Sequence, residues 1–243
     1  MMIYCRLITH TIKAGDTLYL LARKYQTTVP AITLMNPGVN PYNLQVGTKL
    51  KICMGEDGYM PENPQISERQ LWEDMREVLS SQGMLEKMYI DSANFATENN
   101  DAVMQRFAQN PQEFADILKM YYSEADSNAI KLLQAEWITK LEEMVDAAKK
   151  MDYERMRILS EQMQENAEEM AELLAEGNSE LDEEYLEQLL GKLAGSAYEG
   201  VNLMMEQKYP QALMVHEDAT KTRMELADYL TDGIIKNFYD KKI

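Results

Sequence analysis

The stretch H-T-I-K-A-G-D-T-L-Y-L-L-A-R-K-Y, residues 10–25, runs from an alternating segment through a glycine turn into an amphipathic one. The alternation over Thr9–Lys13 predicts a short strand. Gly15 supplies the turn, and Asp16 is placed to cap a helix starting at Thr17, because its carboxylate reaches backbone N–H groups that the first helical turn leaves unpaired. Leu18, Leu21, Ala22 and Tyr25 follow at spacings of three and four and form the buried face of that helix. Downstream, Pro30–Met35 predicts a second helix, with proline at its first position and an end before Asn36-Pro37. Lys49–Cys53 alternates again and predicts the second strand. The order is strand, helix, helix, strand. Two strands this far apart pair only if the intervening helices cover one face of their sheet.

Outward from this head the punctuation changes. Glycine and proline are frequent through residue 64, ending in G-Y-M-P-E-N-P at 58–64, and become sparse afterwards. The division predicts a head at 1–55, a linker at 56–66 and a second domain at 67–243. In the second domain apolar residues recur at helical spacing. One helix follows Ser67-Glu68 with Leu71, Met75, Val78, Leu85 and Met88 on one face. Shorter helices are expected over Ala102–Ala108 and Pro111–Tyr122. Longer ones cover Ala125–Met151, residues 152–175 and Asp182–Tyr209, and the last begins at Pro210 with Val215, Ala219, Thr222, Leu226, Tyr229 and Ile234 inward. Amphipathic helices joined by short breaks make an antiparallel bundle. The fold class is therefore α+β: a small βααβ domain followed by a larger all-α bundle.

Charge divides with the chain. Residues 1–60 hold six Lys/Arg and three Asp/Glu, and the remaining 18 basic and 38 acidic residues leave the tail at −20 within a net −17. Such a tail repels nucleic-acid phosphates and anionic lipid heads, so neither is an expected partner. No apolar run approaches the length of a membrane span and no signal-peptide pattern opens the sequence, so synthesis in the cytoplasm is expected. Cys5 and Cys53 are too few for a disulfide framework. In a reducing compartment free thiols are the expectation, although their places at the two ends of one small domain leave a staple open.

The residues 9–54, with H-T-I-K-A-G-D-T-L-Y-L-L-A-R-K-Y followed by I-T-L-M-N-P-G-V-N-P-Y-N-L-Q-V-G-T-K-L-K-I-C, closely resemble the LysM domain. The resemblance implies a βααβ fold that binds N-acetylglucosamine-containing glycans, peptidoglycan or a chitin-like polymer. It places the sugar in a shallow groove between the turn after the first strand and the loop before the second. Those regions are Gly15, Asp16, Thr17 and Leu18, and Asn36, Pro37, Gly38, Val39, Asn40 and Tyr42. His10 stands where the family often has an aromatic residue. On the residues alone, Asp16 also reads as a helix cap, Leu18 as core, and Asn36 and Asn40 as loop residues bonding back to the main chain. N-P-G-V-N-P-Y-N-L-Q-V-G is further similar to single LysM modules of sporulation proteins. That likeness implies a place at the spore coat or cortex surface and a spore-coat or wall-associated protein as partner, with the cytoplasm as the alternative.

The tail resembles a family of small bacterial helical proteins through N-P-Q-E-F-A-D-I-L-K-M-Y-Y at 110–122 and A-D-Y-L-T-D-G-I at 227–234. Members carry facing histidines, whose approximate counterparts here include Glu136 and Lys192. A di-iron bundle needs two E-x-x-H elements, and the chain has only His10 and His216, the latter without Glu three residues before it. No phosphate-cradling glycine loop and no H-E-x-x-H motif occurs, so no cofactor, metal or catalytic residue is assigned. The expected function is noncatalytic glycan binding that tethers a protein-interaction bundle. The alternatives are a peptidoglycan-cleaving glycosidase or lytic transglycosylase whose acid is not identified, and a cytoplasmic scaffold. Tyr198, Met205 and Tyr209 are candidates for a protein interface, and self-association of the bundle would multiply a single weak glycan module.

Overall fold

The computed structural model describes residues 6–13, 16, 18, 21, 24–25, 27, 32–33, 35–37, 39, 44–54, 68–95 and 98–238. The chain forms two compact units, Met1–Ile66 and Ser67–Ile243. The expected linker over 56–66 lies outside the described residues.

In the first unit, β1 (Arg6–Thr11) pairs antiparallel with β2 (Lys49–Met54), with Arg6 opposite Met54, Ile8 opposite Ile52 and Thr11 opposite Lys49. Alternation sends Ile8, His10, Leu50 and Ile52 to one face, while Leu7, Thr9, Thr11, Lys49 and Lys51 take the other. The first face carries the core: Leu50 and Ile52 are closed off from solvent together with Ile12, Leu18, Leu21 and Ile32. Leu18, Leu21 and Lys24 are helical, as are Ile32, Thr33 and Met35, so α-helical residues cover one face of a two-stranded sheet. β1 begins three residues before the strand expected from Thr9, because β2 continues to Met54 and supplies ladder partners back to Arg6.

The free-thiol expectation is corrected at Cys53, which is disulfide-bonded. Cys53 stands opposite Leu7 in the antiparallel ladder, at the end of the sheet where β1 begins. Cys5 lies outside the described residues.

The second unit consists, among the described residues, of α1 (Glu68–Asn94), α2 (Asn100–Phe107), α3 (Asn110–Leu118), α4 (Glu124–Lys149), α5 (Tyr153–Glu176), α6 (Glu183–Met205) and α7 (Tyr209–Phe238). Side chains start several of them: Ser123, Asp152 and Asp182 accept from the backbone N–H three residues on, and Pro111 sits in the first turn of α3. Neighbours in sequence pack on one another from α4 to α7, and α7 returns to lie against α1. The α1–α7 pair is antiparallel, since Arg76 meets Asp228 near one end and Phe95 meets Tyr209 at the other. Met88, expected inward, is 41% exposed, and Tyr89 takes the interior place. The face of α1 is rotated by one residue there. No described helix is long and apolar enough to cross a membrane.

Candidate functional site

In the head, the turn after β1 is closed by its own hydrogen bonds. Asp16 N–H donates to the Lys13 carbonyl at 3.1 Å, and Lys13 N–H donates to Asp16 Oδ2 at 2.7 Å. The same carboxylate oxygen lies 2.7 Å from His10 Nε2, and His10 Nδ1 lies 2.8 Å from the Tyr25 hydroxyl. With the proton on Nε2, the ring donates to Asp16 and accepts from Tyr25, so a buried polar ring is satisfied on both sides. The chain Asp16–His10–Tyr25 thus ties the turn to β1 and to the helical segment. Burial works against the charge of Asp16. The hydrogen bonds from His10 and Lys13, with the fields of His10 and Lys24, outweigh it and hold the carboxyl below its ordinary value of 3.8.

The second loop is fixed by Asn36. This side chain is buried; Nδ2 donates to the Ile32 carbonyl at 2.6 Å and to the Lys51 carbonyl at 2.8 Å, while Oδ1 accepts from Lys51 N–H at 2.8 Å. One amide therefore extends the hydrogen bonding of β2 like a further strand residue. Its own carbonyl accepts from Val39 N–H at 3.1 Å, which turns the loop back onto the head core. Opposite, Thr48 N–H donates to Gln45 across a turn whose third residue, Gly47, has φ 90°. A side chain would strain that backbone, so glycine is required by conformation rather than by space.

Of the ten residues placed in the groove by the sequence, five are described. Pro37 is exposed and Val39 is half-buried against the core. Asp16 is half-buried and Asn36 is buried, and both side chains are engaged as above. Leu18 is 3% exposed and belongs to the core, so its side chain offers nothing to a ligand. Gly15, Thr17, Gly38, Asn40 and Tyr42 lie outside the described residues.

In the bundle, Tyr198 and Met205 are half-buried and Tyr209 is exposed, its ring 5.7 Å from that of Phe95. Tyr209 borders a pocket of about 170 Å³ between α1, α6 and α7 whose lining includes Ile90, Met204, Ala212, Glu86 and His216. Burial, then the charges of Arg223 and Lys87, hold His216 below its ordinary value of 6.5 against the pull of Glu86 and Asp91. Glu199 is exposed.

Glu86 and Arg223 went unnoticed in the sequence. They form an ion pair at 2.8 Å with side chains 6% and 2% exposed, and Trp137 Nε1 donates to the other Glu86 oxygen at 3.4 Å. The signal was present in the spacing: Arg223 falls between Ala219 and Leu226 on the apolar stripe of α7, and Glu86 beside Leu85 on that of α1. A charge on a buried stripe requires a partner on a facing one. Among the described residues no group of three or more His, Cys, Asp or Glu is arranged to hold a metal ion.

No curated protein and no solved structure matches the chain. Residues 10–52, which run from the end of β1 through the buried asparagine loop into β2, match the family model of the LysM domain.

Proposed function

We propose that the head binds an N-acetylglucosamine-containing glycan, peptidoglycan in the first place, and tethers the bundle to it without cleaving it. The observation that carries this reading is the LysM match over residues 10–52, a family whose members generally bind such glycans. The local geometry supports it in a specific way. Both polar atoms of the Asn36 side chain and Oδ2 of Asp16 are spent on fixing the two loops, so we assign recognition chiefly to the main chain of the two loops. The exposed Pro37 and the half-buried Val39 add apolar contact there. An N-acetyl group asks for one amide-matching donor, one acceptor and a small apolar contact, which rigid loop backbone beside Pro37 and Val39 can offer. The polymer is met at a cell wall or at the spore cortex, and there the bundle would hold a wall-associated or spore-coat protein.

The test is pelleting of the full chain with purified peptidoglycan at low and moderate salt, with the supernatant assayed for released muropeptides. The chain is expected to pellet, N-acetylglucosamine oligomers to compete, and the exposed-loop variant Pro37→Glu to bind about tenfold more weakly, equivalent to roughly 1.4 kcal/mol, while retaining its melting curve. Failure to pellet at either salt concentration sinks the glycan reading. Release of muropeptides overturns the noncatalytic part of it.

A further inference from the structure

The bundle buries more hydrogen-bonding capacity than its own atoms satisfy, and part of the surplus gathers round one interior cavity. Arg223 is 2% and Gln134 3% exposed. Nη2 of Arg223 meets Glu86 Oε1 at 2.8 Å, whereas Nε and Nη1 are buried and donate to nothing among the described residues. Oε1 of Gln134 is likewise buried and accepts from nothing. Both side chains line a cavity of about 20 Å³, to whose wall α1 and α3 to α7 all contribute. Gln82 borders it too, and the rest of the wall is apolar or aromatic, with Leu79, Phe114 and Leu193 among its members. A single water needs about 10–15 Å³ of such space. The cavity therefore suits one water-sized occupant and nothing larger.

We propose that this cavity is a binding site for one ordered water, which accepts from the Arg223 guanidinium and donates to Gln134 Oε1. The unpaired groups define the occupant's chemistry: it must accept on the side of Arg223 and donate on the side of Gln134, and water does both. A halide would accept from Arg223 but could donate nothing to the amide oxygen. It would also place a third charge beside the Glu86–Arg223 pair and leave the core with a net negative charge, which burial opposes. A cation would face the guanidinium. An apolar occupant would leave every unpaired group as it stands. Accepting from Nε and Nη1 and donating to Gln134 would give the water three bonds, the usual number for a buried one. The position of Gln134 fits this role. It lies one turn from Trp137 on α4, on the same side of the helix, and Trp137 Nε1 already donates to the second Glu86 oxygen at 3.4 Å. α4 thus serves both ends of the ion pair, the carboxylate directly through Trp137 and the guanidinium through water from Gln134. The site belongs to the bundle and stands without the glycan reading.

High-resolution crystallography of the full chain, with a second crystal grown in bromide, tests the proposal. A single density peak is expected within hydrogen-bonding distance of Gln134 Oε1 and of Arg223 Nε or Nη1, with no anomalous signal from bromide at that place. In solution, oxygen-17 relaxation dispersion counts the long-lived waters of the protein. Gln134→Met keeps the length of the side chain and removes its acceptor, so the variant should hold one long-lived water fewer than wild type. If that variant does not fold, the wild-type density decides. A cavity without a peak overturns the proposal, as does a bromide signal within it or a direct bond between Gln134 and Arg223. An unchanged count of long-lived waters in a folded Gln134→Met overturns it as well. Pelleting with peptidoglycan is read separately, since it reports on the head and leaves this site untouched.

Discussion

Asp16 reads in the sequence as a helix cap facing forward, and in the fold its Oδ2 faces backward, onto the Lys13 N–H and His10. No local pattern announces that bond, because its partner His10 is delivered by β1 and held in place by Tyr25. The carboxyl titrates below its unfolded value of 3.8. A depressed acid contributes stability that is fully present above the unfolded pKa and is lost as pH falls through the folded one. Asp16→Asn should therefore destabilise the head by about 1.5–3 kcal/mol at neutral pH, the usual range for a hydrogen bond to a charged group. It should also remove part of the acid sensitivity that wild type shows below 3.8. Urea titrations followed through the amide signals of β1 and β2 at several pH values check this. Equal acid sensitivity in both proteins would refute the assignment. Asn36 shows the opposite relation of sequence to structure. Its residue type announces a loop that bonds back to main chain, and the fold adds only which main chain, that of Lys51 on the far strand.

Periodicity locates the starts of α4 to α6 to within about a residue, and the structure shows which side chains cap them. Ser123, Asp152 and Asp182 stand at the first unpaired donors of α4, α5 and α6. Two helix ends were not legible. α4 closes with Met151 N–H donating to Ala148 and Asp152 N–H to Ala147, and α6 closes with Gln207 N–H to Met204 and Lys208 N–H to Leu203. Both are the paired bonds of a Schellman end, which places its reversing residue in the left-handed region, and Met151 and Gln207 occupy it at φ 57° and 60°. Glycine is the residue that signals such an end, and here it is absent, so the sequence reading carried the α6 helix on to Tyr209. Replacing Met151 or Gln207 by glycine relieves the contact of Cβ with the following carbonyl. Each change should raise bundle stability by about 1 kcal/mol, measured by urea unfolding followed through tryptophan fluorescence. A loss of stability in both variants would show that contacts of the native side chains outweigh the backbone strain.

Across the whole bundle, the Glu86–Arg223 pair joins the first helix to the last through the interior. Arg223 fits because Gly83 lies beneath it: a Cβ at that position would come to 3.0 Å from Arg223 Cδ. Nε and Nη1 of Arg223 are buried without a hydrogen-bond partner, so the guanidinium leans on the single carboxylate it has. Removing one member of such a pair leaves the other charge stranded in a poor dielectric, whereas removing both does not. Arg223→Ala should cost roughly 3–5 kcal/mol, and the double variant Glu86→Leu with Arg223→Met should recover most of it. Thermal and urea unfolding of the two single and the double variants measures the coupling. Additive losses would mean that the pair is not coupled across the core.

What the sequence determined by itself was whatever depends on neighbours within a few positions. Those features are the strand–turn–helix start at residues 10–25, the period of the long helices, the approximate starts of α4 to α6 and the opposite charge of the two parts. Spacing alone carries these features, since the bonds and faces involved lie within one or two turns of chain. Only the tertiary structure decided the bond between His10 and Asp16, the disulfide at Cys53 and the partner of Arg223. Each of these joins residues from different elements. Their proximity is set by which buried faces pack together, a choice made by the whole chain and not by any stretch of it.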